Sequence, residues 1–265
     1  MEKLLALYFS GTGNTAWAVE RLCSRLSAAG IDCKIYSIED FQQKQATDFN
    51  PDTVLIGYPI YGSDMPRIMK EFIVANIRIF GNRDLITLVT QHSFSGDGGR
   101  LAARLIKRKK AQLKHIAGIH VNLPTNLSDS TRFIELKNGE LNAAKIKKAE
   151  LKIKNSANMI LSGKKVKDGA GLSAWFLGFF TQRFYFRFIE KLLRKKLKIN
   201  SSLCSYCSKC ADCCPMKNIK ITGKDIDTYN NCTLCYRCVN LCPQKAISLI
   251  SANKPSEQYM GIDSA

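Results

Sequence analysis

The sequence contains no apolar run that would suit a membrane-spanning helix. Its first apolar run, residues 4–9, is short, has no basic leader and ends in a Ser-Gly-Thr-Gly turn, so we expect a β-strand there and no secretory signal. The most apolar later stretch, residues 172–188, is interrupted by Arg183 and Arg187, whereas a spanning helix needs about 20 mostly apolar residues. We therefore expect no transmembrane span and a cytoplasmic protein.

Acidic residues are few. The sequence has 22 Asp and Glu and 40 Lys and Arg, which gives a formal net charge of +18. Zinc-finger, RRM and KH motifs are absent, so we do not expect a nucleic-acid partner. The basic residues are concentrated in four stretches, at 104–114, 145–154, 164–167 and 194–198. This distribution predicts steering toward an acidic partner, and the alternative is a set of solvated helix faces without a specific partner.

The cysteines are unevenly placed, since nine of the eleven fall between positions 204 and 242 and most stand at Cys-x-x-Cys spacing. Nothing in the sequence points to export, so we interpret these nine as metal-ligating thiols rather than disulfide partners. Cys23 and Cys33 lie outside the cluster. We interpret them as buried small hydrophobic side chains.

Short β-rich runs alternate with longer helical patterns over the first part of the chain. The runs predict strands at residues 4–9, 34–37, 53–58, 85–90 and 116–121, and helices at 15–29, 66–80, 99–114 and 141–161. Five strands with intervening helices indicate an α/β fold, a doubly wound parallel sheet covered on both faces. The right-handed crossover rule favours the strand order 2-1-3-4-5.

Composition changes near residue 165 divide the chain into domains. We place an α/β domain at 1–165, a basic aromatic helical linker at 166–199, a small cysteine-rich α+β domain at 200–252 and a C-terminal tail at 253–265. Aromatic and basic side chains alternate at spacings of three and four within 172–198, which predicts an amphipathic helix or helical pair. This segment is either a connector that packs the domains together or a helix that contacts a membrane surface.

The cysteine-rich region contains one motif twice, with a period of about 28 residues. The run C-x2-C-x2-C-x3-C-P stands at 204, 207, 210 and 214, and again at 232, 235, 238 and 242. It resembles the motif of bacterial ferredoxins that hold two [4Fe-4S] clusters. The resemblance implies two crossed ligand sets, the first being Cys204, Cys207, Cys210 and Cys242, and the second Cys232, Cys235, Cys238 and Cys214.

Zinc is the alternative for these cysteines, because two Cys-x-x-Cys pairs also form four-thiolate zinc sites. Zinc ribbons, however, use separated pairs and not three cysteines at successive three-residue intervals. Cys213 is surplus to the motif. We interpret it as a packed thiol, and the alternative is that it replaces Cys214 as a ligand.

The turn after the first strand resembles the phosphate loop of flavodoxins, [ST]-x-T-G-x-T, and consists of Ser10, Gly11, Thr12, Gly13, Asn14 and Thr15. Hydroxyl groups and backbone N–H groups at a helix N-terminus suit a dianionic phosphate. The P-loop and dinucleotide motifs are both absent. By itself the turn would also serve as a simple helix cap.

Two later loops match the flavin-binding loops of flavodoxins in position. The first contributes Pro59, Ile60, Tyr61 and Gly62, and the second contributes Ser93, Phe94, Gly96, Asp97 and Gly98. All follow strands, at the edge where open α/β sheets bind ligands. The resemblance implies FMN, with Tyr61 stacked on the flavin ring and Phe94 as a second aromatic neighbour.

The whole arrangement resembles the flavodoxin–ferredoxin fusion proteins of anaerobes. This resemblance implies an electron carrier that passes single electrons between FMN, two [4Fe-4S] clusters and another redox protein, such as an acidic ferredoxin or a reductase. No residue set indicates hydrolysis or group transfer. The alternatives are an FMN-dependent oxidoreductase that reduces a small substrate, and a redox-sensing module recruited to membranes.

Overall fold

The computed structural model describes residues 1–129, 139–251, 254–255 and 257–262. The end of the predicted 200–252 domain and part of the predicted 253–265 tail therefore lie outside the described residues. None of the described helices combines the length and the apolar composition that crossing a bilayer requires.

A parallel sheet forms the N-terminal part, with the strand order β2-β1-β3-β4-β5-β6. Its strands are β1 (Lys3–Tyr8), β2 (Asp32–Ser37), β3 (Thr53–Pro59), β4 (Arg83–Gln91), β5 (Leu113–Asn122) and β6 (Val166–Lys167). This confirms the predicted fold class and the order 2-1-3-4-5. The sixth strand was not predicted, because a two-residue edge strand in a lysine-rich stretch has no alternating apolar pattern.

Helices cover both faces of the sheet. On one face lie α1 (Asn14–Ser27) and α5 (Gly139–Leu161), and on the other α3 (Arg67–Ala75) and α4 (Leu101–Arg108). The predicted helix 99–114 extends too far, because Lys110 has a left-handed φ of 62° and β5 already begins at Leu113. The short helix α2 (Gln43–Phe49) was not predicted, since only Ala46 and Phe49 of it are buried.

The linker forms one helical stretch that lies against the loops that follow β3 and β4. It consists of α6 (Leu172–Leu177), a π-helical segment (Gly178–Arg183) and α7 (Phe184–Leu193). Gly96 and Gly178 allow a close approach here, because a Cβ at Gly96 would overlap the backbone of Gly178. The linker thus packs against the loop that follows β4.

The cysteine-rich part is built from small elements. These are β7 (Lys198–Ile199), α8 (Lys209–Asp212), the hairpin β8 (Ile219–Thr222) and β9 (Asp225–Thr228), α9 (Arg237–Leu241) and β10 (Ile247–Ser248), which pairs with β7. The sequence repeat is also visible in the backbone, since left-handed residues recur at matching positions: Tyr206 and Leu234, Ser208 and Tyr236, Lys217 and Lys245.

Asp129, in the stretch after β5, joins the two parts of the molecule. Its buried carboxylate accepts backbone N–H bonds from Leu249 at 2.6 Å, Ile250 at 2.8 Å and Ser251 at 3.2 Å. It also accepts the Tyr236 hydroxyl at 2.7 Å. Burial and the Asp129 charge together hold the pKa of Tyr236 well above its ordinary value, so this hydroxyl remains a donor.

We expect Asp129→Ala to lower the free energy of unfolding by roughly 3 kcal/mol, because three N–H groups and a buried hydroxyl lose their acceptor. Urea unfolding of the cofactor-loaded protein, followed by visible absorbance, measures the change. The control is Asp48→Ala, which removes an exposed aspartate of α2. Equal unfolding midpoints for the two variants would contradict the joining role of Asp129.

Candidate functional site

A pocket lies at the carboxyl ends of β1, β3, β4 and β5, and we call it the flavin pocket. Five of the six predicted phosphate-loop residues line it, as do all four residues predicted in the loop after β3: Ser10, Gly11, Thr12, Asn14, Thr15, Pro59, Ile60, Tyr61 and Gly62. Gly13 lies on the other side of the same turn, in the wall of the neighbouring cavity. The structure thus brings the first two predicted loops together.

The phosphate loop has the features that an anion requires. Helix α1 has no side-chain cap, so its N-terminal partial positive charge is open to a ligand. The Ser10 hydroxyl is buried and has no protein partner among the described residues. Thr15 shares a hydrogen bond of 2.7 Å with Thr90, and Thr12 accepts one of 3.1 Å from Asn126. These residues fit the phosphate of FMN.

Tyr61 lies between the flavin pocket and the cysteines. Its hydroxyl is buried without a protein partner among the described residues. Burial raises the pKa of Tyr61 well above its ordinary value, and the neighbouring Cys235 and Cys232 raise it further. The hydroxyl therefore stays neutral and is available to donate a hydrogen bond to a bound group.

The second predicted flavin loop behaves differently, because Ser93, Phe94, Gly96, Asp97 and Gly98 do not line the pocket. Phe94 is exposed. Asp97 is buried and forms ion pairs with Arg104 and Arg183, while Gly96 lies against Gly178. This loop holds the linker in place, because Arg183 of the linker pairs with the buried carboxylate of Asp97.

Residues that were not predicted line the pocket where the second flavin loop was expected. Thr90 and Gln91 end β4 and His92 follows it, and residues 123–127 follow β5. The rule that ligands bind at the carboxyl ends of strands would have identified both groups. Five more lining residues belong to the linker and the cysteine-rich part, namely Phe186, Leu193, Leu234, Tyr236 and Ile250. No sequence signal marks these five, since they reach the pocket only through tertiary packing.

The cluster cysteines lie in two separate cavities. Cys204, Cys207, Cys210 and Cys242 line one, which we call the outer cluster site, and Cys214, Cys232, Cys235 and Cys238 line the other, the inner cluster site. These are the two crossed sets that the ferredoxin motif implies. Among the described residues, no three His, Cys, Asp or Glu side chains converge in the way that one metal ion requires.

Backbone N–H groups point at the sulfur atoms in both sites. Tyr206 donates to Cys204 and Leu234 to Cys232, each at 3.3 Å. Asn218 donates to Cys214 at 3.2 Å, and Ala246 to Cys242 at 3.3 Å. Such bonds stabilise thiolate charge and tune cluster potentials. The donor set and its hydrogen bonds therefore fit [4Fe-4S] clusters.

Burial opposes thiolate formation at the inner cluster site. It raises the pKa of Cys232 to about 11 and that of Cys235 to about 12. Bound iron supplies the positive charge that these buried thiolates need. Cluster binding and folding of this part are therefore coupled.

Cys213 lies in neither cluster site. Its thiol points to the carbonyl oxygen of Cys210 at 3.6 Å, and its own carbonyl accepts Arg237 at 3.1 Å. The structure thus gives Cys213 a packing role and leaves Cys214 as the fourth thiol of the inner cluster site.

The inner cluster loop sits directly on the phosphate loop. A Cβ at Gly11 would overlap the carbonyl oxygen of Cys235. Arg237 donates to the Ser10 carbonyl at 2.8 Å and to the Gly11 carbonyl at 3.2 Å, and it forms an ion pair with Glu39 at 2.7 Å. The flavin pocket and the inner cluster site are therefore immediate neighbours.

We expect Cys214→Ser to retain only one cluster, with about four irons per chain in place of about eight, because the inner cluster site loses its fourth thiolate. Cys213→Ser, one residue away, should retain both clusters. Anaerobic iron and sulfide analysis together with EPR of the reduced proteins distinguishes the two variants. The reverse result would make Cys213 the ligand.

Two protein families match the chain. A flavodoxin domain matches residues 5–159, and a 4Fe-4S binding domain matches residues 227–248. No curated protein matches the chain.

Solved flavodoxin structures are also similar to the chain. One from the domain Archaea has 13% sequence identity and a TM-score of 0.39, and the match covers 59% of this chain and 99% of that one. The two-electron reduced flavodoxin of Megasphaera elsdenii has 17% identity, a TM-score of 0.39 and coverages of 57% and 98%. A mutant flavodoxin from Pseudomonas aeruginosa has 14% identity, a TM-score of 0.43 and coverages of 61% and 97%.

The flavodoxin match extends over more than half of the chain. A flavodoxin domain implies FMN and a 4Fe-4S domain implies iron–sulfur clusters, so the cofactors are FMN and [4Fe-4S] clusters and the protein is an electron-transfer flavoprotein and iron–sulfur protein. The chain belongs to the flavodoxin domain family and, with its C-terminal 4Fe-4S binding domain, is a flavodoxin–ferredoxin fusion.

Proposed function

We propose that the chain passes single electrons between FMN and an external redox protein through its two clusters in series. The observation that carries the proposal is the position of the Cys235 loop. Leu234 and Tyr236 form part of the flavin pocket, while Cys235 between them belongs to the inner cluster site. When bound, FMN exchanges two electrons and can release them singly, whereas each cluster exchanges one.

The cover over the flavin pocket supports this route. Phe186 and Leu193 of α7 close one side, and Leu234, Tyr236 and Ile250 close another. These side chains cover part of the pocket, so less of a flavin bound there is open to a protein partner. An electron entering from such a partner would then pass through the cluster sites.

The exposed end of this route is the outer cluster site. Cys207 is solvent-exposed, whereas Cys232, Cys235 and Cys238 of the inner cluster site are buried. The proposed order is therefore flavin pocket, inner cluster site, outer cluster site and partner. Exposed Lys198 and Lys209 lie beside or within the outer cluster site, which supports an acidic partner such as a ferredoxin.

We expect the double variant Cys204→Ser and Cys207→Ser, which lacks the outer cluster, to slow flavin reduction more than about tenfold when reduced ferredoxin is the donor. The reason is that the donor would have to reach a covered flavin or a buried cluster. Anaerobic stopped-flow absorbance of the flavin band measures the rate.

Cys213→Ser is the control, because it lies in neither cluster site, and both proteins must hold equal FMN. Equal rates of flavin reduction in the two proteins would contradict the series route. That result would favour the hypothesis of an FMN-dependent oxidoreductase whose flavin is directly accessible.

Charge reversal tests the acidic partner. We expect Lys198→Glu with Lys209→Glu to lower the rate constant for reduction by an acidic ferredoxin about tenfold at low salt, with a much smaller difference at high salt. The control is Lys147→Glu with Lys148→Glu, which makes the same charge change on exposed positions of α5. If both pairs slow the reaction equally, the partner responds to net charge and not to the outer cluster face.

A further inference from the structure

The linker carries a continuous apolar stripe on its outer face. Large apolar side chains recur every four residues, and all six are between 54% and 86% exposed: Leu172, Phe176, Phe180, Phe184, Phe188 and Leu192. Trp175, Leu177 and Tyr185 are exposed beside them. A contiguous exposed apolar surface of this kind usually marks an interaction site.

The π-helical segment keeps this stripe on one face. In an α-helix, residues four apart drift around the axis by about 40° per step, so a long stripe would leave the face where it began. The wider π turn at Gly178–Arg183 rotates the opposite way and offsets the drift. Ring contacts continue along the stripe, at 4.7 Å between Phe176 and Phe180 and at 5.1 Å between Phe184 and Phe188.

The inward face of the linker combines the apolar Phe186 and Leu193 with a set of hydrogen-bonded and ion-paired side chains. Gln182 accepts the Ser63 hydroxyl at 2.6 Å, and buried Arg183 donates to the Ser63 carbonyl at 2.7 Å and pairs with Asp97. Arg187 binds Asp64 at 3.0 Å. Burial alone would raise the pKa of Asp64, but the charges of Lys70 and Arg187 outweigh it and hold that pKa below its ordinary value.

This orientation is the reverse of the usual one. A surface helix of a globular protein turns its apolar face to the core and its charged face to water. Here an ion-paired set of side chains fixes the helix with the aromatic face outward. The exposed stripe is therefore held in place by specific contacts and is not an unpacked core face.

Charge identifies the partner of this face. Between residues 172 and 198 the only acidic residue is Glu190, and Arg194 pairs with it at 2.7 Å. Lys191, Lys195, Lys196 and Lys198 are exposed at the end of the stripe. A second copy of the chain would bring together two molecules that each have a formal charge of +18, which costs free energy.

We propose that residues 172–196 bind the surface of an anionic lipid bilayer, with the helix lying in the plane of the interface. Aromatic side chains on one face with adjacent lysines are the composition that interfacial helices use. Six large apolar side chains are exposed along one helical stretch, and a deformable lipid surface can adapt to such a row. The headgroups would contact the lysines while the six side chains of the stripe enter the acyl boundary.

The test is co-sedimentation of the anaerobic, cofactor-loaded protein with lipid vesicles. We expect binding to vesicles of phosphatidylcholine mixed with phosphatidylglycerol and much weaker binding to phosphatidylcholine alone. The triple variant Phe180→Ser, Phe184→Ser and Phe188→Ser should lower the partition coefficient on the order of a hundredfold, because three rings no longer enter the interface. A second variant, Lys191→Glu with Lys195→Glu and Lys196→Glu, should remove the preference for anionic vesicles.

The control replaces three exposed apolar residues of α5, Leu151, Met159 and Leu161, by serine. FMN and iron contents of all variants must equal those of the parent protein, so that a loss of binding is not a loss of fold. Absence of binding by the parent protein, or an equal loss in the control, would overturn the proposal. So would a parent dimer that the stripe variant converts to a monomer without any vesicle binding, since this would assign the face to a second copy.

Discussion

A glycine at position 11 allows the carbonyl oxygen of Cys235 to lie against the phosphate loop, and this contact sets the distance between the two cofactor sites. Arg237 fixes the contact by binding the Ser10 and Gly11 carbonyls. Asn126 adds a bond of 3.3 Å to the Cys235 carbonyl. Without these contacts the two cofactor sites would be held together only by contacts farther from them, such as those of Asp129. Because of these contacts, the Cys235 loop forms part of the wall of both the flavin pocket and the inner cluster site.

Much of this architecture follows from local sequence. Cysteine spacing predicts which thiols can share a cluster, because each three-cysteine loop is short and its backbone conformation recurs at matching positions such as Tyr206 and Leu234. Phosphate-loop residues are equally predictable, since they lie between a strand and the helix that it feeds. In both cases most of the chemistry lies within a few consecutive residues, and only the crossed fourth thiols, Cys242 and Cys214, rest on the resemblance to ferredoxins.

Other parts could not be predicted for physical reasons. Phe94 stands where a second flavin aromatic is expected, yet Phe186 lines the pocket from a segment far along the chain. Which aromatic reaches the pocket depends on how the linker docks, and that depends on the buried ion pair between Asp97 and Arg183. Likewise, the spacing of the linker aromatics predicts an amphipathic helix but does not say which face the protein covers. Periodicity is the same whether the apolar face points in or out.

The C-terminal residues have a consequence for assembly. Tyr259 donates to the Asn14 side chain at 2.5 Å, across 245 positions, and Ile262 packs in the same core as α1. Gln258 also binds the carbonyl of Cys242, a ligand position of the outer cluster site. Closing contacts over such sequence separations costs loop entropy, so they form only when both parts of the chain are folded. The start of α1, where the phosphate would bind, is therefore completed by residues that also rest on the outer cluster site, and the C-terminal residues link the assembly of the two cofactor sites.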